Sequence, residues 1–119
     1  MKSHGFMINF KDAAAVATYI DLHKNVWPEV KHAFESIGIK TMQLFHMEPL
    51  QLFMYIEAEE KLVVSRDFKT YVELHPKVRE WDEVCGNLLS RIPTNDGITE
   101  WAEMEKLYSY DRREHRVLF

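Results

Sequence analysis

The chain has 119 residues, 46% of them hydrophobic and 29% charged, with a formal net charge of −4 at pH 7. This length predicts one domain that can hold its own core, and the acidic balance argues against a nucleic-acid partner. We expect no signal peptide, and no apolar run approaches the ~20 residues of a membrane-spanning helix. The single cysteine, Cys85, cannot form an intramolecular disulfide, so the sequence predicts a cytoplasmic protein with no membrane partner.

The first predicted elements are a strand and two helices. Apolar side chains alternate over residues 6–10, which is typical of a half-buried strand. Asp12 is a candidate helix N-cap. The helix after it is predicted to run to about residue 24, with one apolar face made by Val16, Tyr19, Ile20 and His23. Pro28 favours the first position of a second helix, and Gly38 favours its end.

The remaining pattern predicts a hairpin of strands at 39–47 and 51–58, helices at about 60–71 and 76–91, a loop over 93–97 and a last strand at 104–110. This order predicts an α+β, ferredoxin-like split βαβ fold with a four-stranded antiparallel sheet and helices on one face. We expect one domain over residues 1–110 and a charged extension over 111–119. The uncovered sheet face predicts a homodimer of the dimeric α/β-barrel type, with a ligand site between sheet and helices.

The residues best suited to chemistry lie on the first helix. Tyr19 and His23 are four apart, so their side chains point the same way, and Trp27 follows. An imidazole can give and take a proton near neutral pH, and aromatic faces bind sugar rings by stacking. The alternative is that His23 is a core histidine with satisfied hydrogen bonds and that Trp27 is only core.

Other candidates are weaker. No two histidines have the i, i+4 spacing of a zinc motif, so we expect no metal site. Cys85 lies on an apolar helix face and is predicted to be a structural thiol. His4 begins the first strand and could reach the pocket.

The segment from Tyr19 through His23 to Trp27-Pro28-Glu29, followed by Gly38, resembles the L-rhamnose mutarotase family. Residues 52–57, 81–82 and 101–108 are also similar, so the resemblance covers roughly residues 6–110. It implies a homodimeric ferredoxin-like fold that interconverts the α and β anomers of a 6-deoxy aldose, L-rhamnose or L-fucose, without a cofactor.

The resemblance also implies roles for single residues. His23 lies where the family has its proton-donating histidine, and Tyr19 where it has a substrate-binding tyrosine. Trp81 lies where a pair of stacking tryptophans stands, but Asp82 follows it here. Met42 takes the place of a sugar-contacting tyrosine and cannot donate a hydrogen bond. We expect Trp27 and Trp81 to wall the pocket.

The predicted mechanism is protonation of the ring oxygen by His23 on opening and return of that proton on closure. The second proton-transfer group is left open by the sequence. Two other functions remain compatible with the same residues: a non-catalytic dimeric module that binds a small ligand, and a cofactor-free monooxygenase of the dimeric α/β-barrel type.

Overall fold

A computed structural model describes residues 1–90 and 101–112. The elements in chain order are β1 (Lys2–Phe10), α1 (Ala13–Leu22), α2 (Pro28–Ser36), β2 (Ile39–Met47), β3 (Gln51–Ala58), α3 (Val64–Thr70), a 3-10 turn (Tyr71–Glu73), α4 (Pro76–Gly86), β4 (Leu89–Ser90) and β5 (Ala102–Met104). Within the described ranges, every helix is too short or too polar to cross a membrane. The loop predicted over 93–97 and most of the predicted tail lie outside the described residues.

Local signals fix the start of the first helix and both ends of the second as predicted, whereas the first helix ends at Leu22, before the predicted residue 24. The Asp12 carboxylate accepts a hydrogen bond from the Ala15 amide at 2.8 Å and so caps α1. Pro28 occupies the first position of α2, where its missing N–H costs nothing. Gly38 has a φ of 95°, a left-handed conformation that ends the helix and turns the chain into β2.

The sheet is antiparallel, with the order β2-β3-β1-β4, and β5 also pairs with β1. Leu89 of β4 pairs with Phe10, and Ala102 of β5 pairs with Met7 further along β1. The two short strands therefore follow each other along one edge of β1. The predicted ferredoxin-like α+β fold is confirmed, although its fourth strand is divided into two segments.

One face of this sheet carries the core. Phe6, Ile8 and Phe10 of β1 are essentially inaccessible to solvent, and side chains of β3 alternate between buried and half-buried. Each large apolar side chain buried in this way contributes about 1.5–3 kcal/mol. The opposite face carries Phe45 and Met47, which are 54% and 58% exposed. The helices thus cover the inner face, which fixes where a cavity can form.

Three predictions about element ends were wrong. The helix predicted to run to residue 91 ends at Gly86, because Gly and Asn are poor helix formers and Leu89 pairs with β1. The predicted strand at 104–110 is instead β5 at 102–104, and Leu107 beyond it is 87% exposed. Ala102, Glu103 and Met104 pair with β1, so Met104 alone belongs to both the predicted and the observed strand. Likewise, the helix predicted at about 60–71 begins at Val64.

The predicted apolar face of α1 was wrong in one member. Ile20 is 48% exposed, whereas Ala15 and Tyr19 are buried. The buried stripe therefore runs through Ala15, Tyr19 and the end of the helix, which brings Tyr19 and His23 to the same side.

Replacement of Gly38 by alanine tests the left-handed turn. Gly38→Ala should lower the free energy of unfolding by roughly 1–2 kcal/mol, because a Cβ disfavours positive φ. Urea denaturation measures the change. Gly38→Asn is the matched control and should cost less, since asparagine visits this region more readily. An alanine variant as stable as the wild type would contradict this account of the turn.

Candidate active site

A cavity of about 240 Å³ lies between the inner face of the sheet and the helices. It is larger than a water site and slightly smaller than pockets for drug-sized ligands, which hold about 300–1,000 Å³. This size suits a ligand such as a monosaccharide. Its lining includes Tyr19, His23, Phe34, Ile37, Ile39, Met42, Leu44, Met54, Phe68, Lys69, Tyr71, Val72, Trp81, Asp82, Cys85, Gly86, Leu89 and Trp101.

His23 is held at the C-terminal end of α1 by the backbone of Tyr19. The distance between His23 Nδ1 and the Tyr19 carbonyl oxygen is 2.8 Å. A carbonyl oxygen only accepts hydrogen bonds, so Nδ1 must carry the proton and donate it. The lone pair of the neutral ring is therefore on Nε2, which is the nitrogen left to exchange a proton with a ligand.

Aromatic rings fix the plane of this imidazole. Tyr19 stacks on His23 with ring centroids 4.2 Å apart, and Trp81 meets it edge-on at 5.1 Å. Tyr19 and Trp81 are buried, whereas His23 is half-buried. The imidazole is thus constrained by its neighbours while it still lines the cavity.

Burial shifts the proton affinity of several lining groups. Desolvation lowers the pKa of His23 below its ordinary value of 6.5, and the hydrogen bond to the Tyr19 carbonyl only partly opposes this. Desolvation raises the pKa of Tyr19 and of Tyr71 far above that of a free phenol. It also raises the pKa of Cys85 to about 12. The phenols and the thiol therefore stay protonated at neutral pH, while the imidazole is mostly neutral.

A pair of polar residues, Tyr71 of the 3-10 turn and Asp82 of α4, lines the same cavity. The Tyr71 hydroxyl donates to Asp82 Oδ1 at 3.4 Å. No pattern in the sequence singles out Tyr71, and Asp82 is notable there only as the residue that follows Trp81. The sequence does carry a signal for Asp82, because an acidic residue stands there where the family resemblance leads one to expect a tryptophan. It carries none for Tyr71, which lies eleven positions away in the chain.

The structure brings together most of the predicted site residues. Tyr19, His23, Met42 and Trp81 all line the cavity. Trp27 was expected to wall the pocket, but it lies outside the lining and packs edge-on against Trp81 with ring centroids 5.2 Å apart. Trp27 is the extended N-cap residue of α2, and its ring packs on Trp81 instead of the cavity.

One further candidate, His4, lies elsewhere. His4 does not line the cavity, and its Nδ1 lies 3.6 Å from Glu103 Oε2. Across residues 1–90 and 101–112, no three His, Cys, Asp or Glu side chains come together as a metal site would require.

Comparison with solved structures places this fold among ferredoxin-like proteins. An L-rhamnose mutarotase from Formosa agariphila is similar with a TM-score of 0.69 and 14% identity, over 93% of this chain and 100% of that one. Tetracenomycin F2 cyclase from Streptomyces glaucescens gives 0.60 and 19%, over 93% and 98%. A dimeric ferredoxin-like protein from an uncultured marine organism gives 0.53 and 9%, over 92% and 91%. At these identities the likeness defines the class of fold alone.

Sequence comparison defines the family. Residues 3–110 match the L-rhamnose mutarotase family. A UPF0734 protein of Dictyostelium discoideum is 40% identical over 103 residues, which cover 84% of this chain and 82% of that protein. The chain belongs to the L-rhamnose mutarotase family, as the pattern from Tyr19 to Glu29 predicted.

The lowered pKa of His23 can be measured directly. An NMR titration of the imidazole protons should give a midpoint below 6.5 in the folded protein, because burial disfavours the cation. The same chain unfolded in urea is the control and should titrate near 6.5. Because the unfolded chain binds this proton more readily, stability should decline as pH falls from 6.5 through the folded pKa. A folded midpoint above the unfolded one would contradict the assigned cause.

Proposed function

We propose that this protein is a mutarotase that interconverts the α and β anomers of a 6-deoxy aldose, L-rhamnose or L-fucose. The observation that carries the proposal is the imidazole of His23, oriented by Tyr19 and Trp81, at the wall of a cavity of about 240 Å³. Membership of the L-rhamnose mutarotase family supports the reaction class.

The lining supports a sugar that has both hydroxyl groups and a methyl group. Tyr19, His23 and Tyr71 present groups that can donate or accept hydrogen bonds. The sheet side of the cavity is apolar, with Ile39, Met42, Leu44 and Met54. A methyl group at C6 packs favourably against such side chains, whereas a hydroxyl there would lose its hydrogen bonds. Met42 cannot donate a hydrogen bond, so it favours the deoxy end of the sugar.

The proposed reaction moves protons and leaves no net change. The imidazolium of His23 donates its Nε2 proton to the ring oxygen as the bond between that oxygen and C1 breaks. The anomeric hydroxyl loses its proton to a second group and becomes the aldehyde oxygen. After rotation about C1–C2, closure on the other face returns both protons. The bond from Nδ1 to the Tyr19 carbonyl holds the ring in place in both protonation states.

Loss of the imidazole tests this function. His23→Ala should slow the enzyme-dependent exchange between anomers by about 10²-fold or more, because one acid–base group typically contributes this much. Saturation-transfer NMR on L-rhamnose, L-fucose and D-glucose measures the exchange. His32→Ala is the matched control, since His32 is exposed on α2 and away from the cavity. Unchanged exchange in His23→Ala would exclude the proposed role.

The exposed sheet face supports a homodimer as the working form. Phe45 pairs with Phe53 and Phe53 with Met7, and this row lies on the face opposite the helices. Phe45 is 54% exposed in a single chain, which leaves apolar surface for a second copy to cover. A cytoplasmic location also remains a prediction.

A charge on this face tests the dimer. Phe45→Glu should shift the protein from dimer to monomer, because burial of an unpaired carboxylate is costly. Sedimentation equilibrium of both proteins measures the mass. Glu83→Gln, on the exposed side of α4, is the control and should leave the mass unchanged. A monomeric wild type at high concentration would contradict the dimer.

A further inference from the structure

Anomer exchange needs two groups that handle protons, and His23 supplies only one. Its Nδ1 is committed to the Tyr19 carbonyl, so a single ring nitrogen remains for the sugar. That nitrogen can serve either the ring oxygen or the anomeric hydroxyl at a given moment. A concerted opening therefore calls for a second group on the cavity wall.

Few polar side chains of the described lining can fill this role. The phenols of Tyr19 and Tyr71 hold their protons at neutral pH, because burial raises the pKa of each. Lys69 is exposed at the mouth and, as an ammonium group, only donates. Asp82 is the one carboxylate among the described lining residues. A carboxylate can take a proton and return it, which the phenols and the ammonium group are poorly placed to do.

Asp82 lines the same cavity as His23 and has a hydrogen-bond donor beside it. It follows Trp81, whose ring touches the His23 imidazole at a centroid distance of 5.1 Å. Its Oδ1 accepts a hydrogen bond from the Tyr71 hydroxyl at 3.4 Å. The side chain remains accessible from solvent, so it can exchange its proton with water between turnovers.

We propose that Asp82 is the second proton-transfer group of anomer exchange and that Tyr71 positions it. This inference rests on the proposed function. On ring opening, Asp82 takes the proton of the anomeric hydroxyl while His23 gives one to the ring oxygen. The electron pair of the broken C1–O bond goes to the ring oxygen, and the C1=O bond forms. Closure reverses both transfers, so no proton is consumed.

The pH dependence distinguishes this role from a structural one. The active form holds an imidazolium at His23 and a carboxylate at Asp82, so enzyme-dependent exchange should fall on both sides of an optimum. Among the residues that the structure describes, the titratable groups that line the cavity are Tyr19, His23, Lys69, Tyr71, Asp82 and Cys85. The alkaline fall belongs to His23 and the acid fall to Asp82. A residue that only supports the fold would leave the acid fall in place.

Three variants test the proposal. Asp82→Asn should slow exchange by about 10²-fold or more and remove the acid fall, because a carboxamide cannot take the proton. Tyr71→Phe should move the acid fall to higher pH, because the carboxylate loses a donor that stabilises its charged form. Asp82→Ala should recover part of the lost rate when formate is added. Glu83→Gln and Glu83→Ala, next along α4, are the matched controls and should behave as the wild type.

The outcomes separate the two proposals. If the wild-type protein does not accelerate exchange of L-rhamnose or L-fucose, the proposed function fails. If it does, and Asp82→Asn keeps both the rate and the acid fall, the function stands and the role of Asp82 is overturned. Circular dichroism checks that each variant is folded. Should Asp82→Asn not fold, an unmoved acid fall in Tyr71→Phe together with no response of Asp82→Ala to formate would overturn the proposal.

Discussion

The hydrogen bond from His23 to the carbonyl of Tyr19 is the constraint on which the site depends. That oxygen also accepts the backbone N–H of His23 at 3.2 Å, so one carbonyl in the last turn of α1 binds the residue twice. A carbonyl oxygen has two lone pairs, so it can accept the side-chain bond beside the backbone bond. The end of α1 therefore supplies, with no extra element, the acceptor that fixes both the tautomer and the orientation of the imidazole.

Much of the fold could be predicted because short-range signals decided it. The cap at Asp12, the proline at 28 and the glycine at 38 act through their own backbone geometry, and they set α1, α2 and the start of the hairpin. The end of the chain could not be predicted in the same way. Residues 104–110 are rich in apolar and aromatic side chains, as strands are, but a strand also needs a pairing partner, and only Met104 of this segment pairs with β1.

In the site as well, contacts within one helix could be predicted, whereas contacts between distant elements could not. Tyr19 and His23 could be paired from their spacing, because both lie in or directly after one helix. Trp27 was expected to wall the pocket, but it lies in the link between α1 and α2, where its position depends on packing against Trp81. Tyr71 and Asp82 meet only through the packing of the 3-10 turn against α4, which no periodicity in the sequence encodes. Local pattern thus locates one side of the cavity, and tertiary packing supplies the other.

The edge of the sheet formed by β4 and β5 contributes to the cavity through Trp101. This residue directly precedes β5 and lines the cavity, and its side is set by the pairing of Ala102 with Met7. Side chains alternate along a strand, so a slip of one position would turn the indole toward the bare face of the sheet. The three residue pairs between β5 and β1 thus keep the Trp101 side chain in the cavity wall. The shape of the cavity therefore depends on the register of an edge strand whose own residues carry none of the proposed proton chemistry.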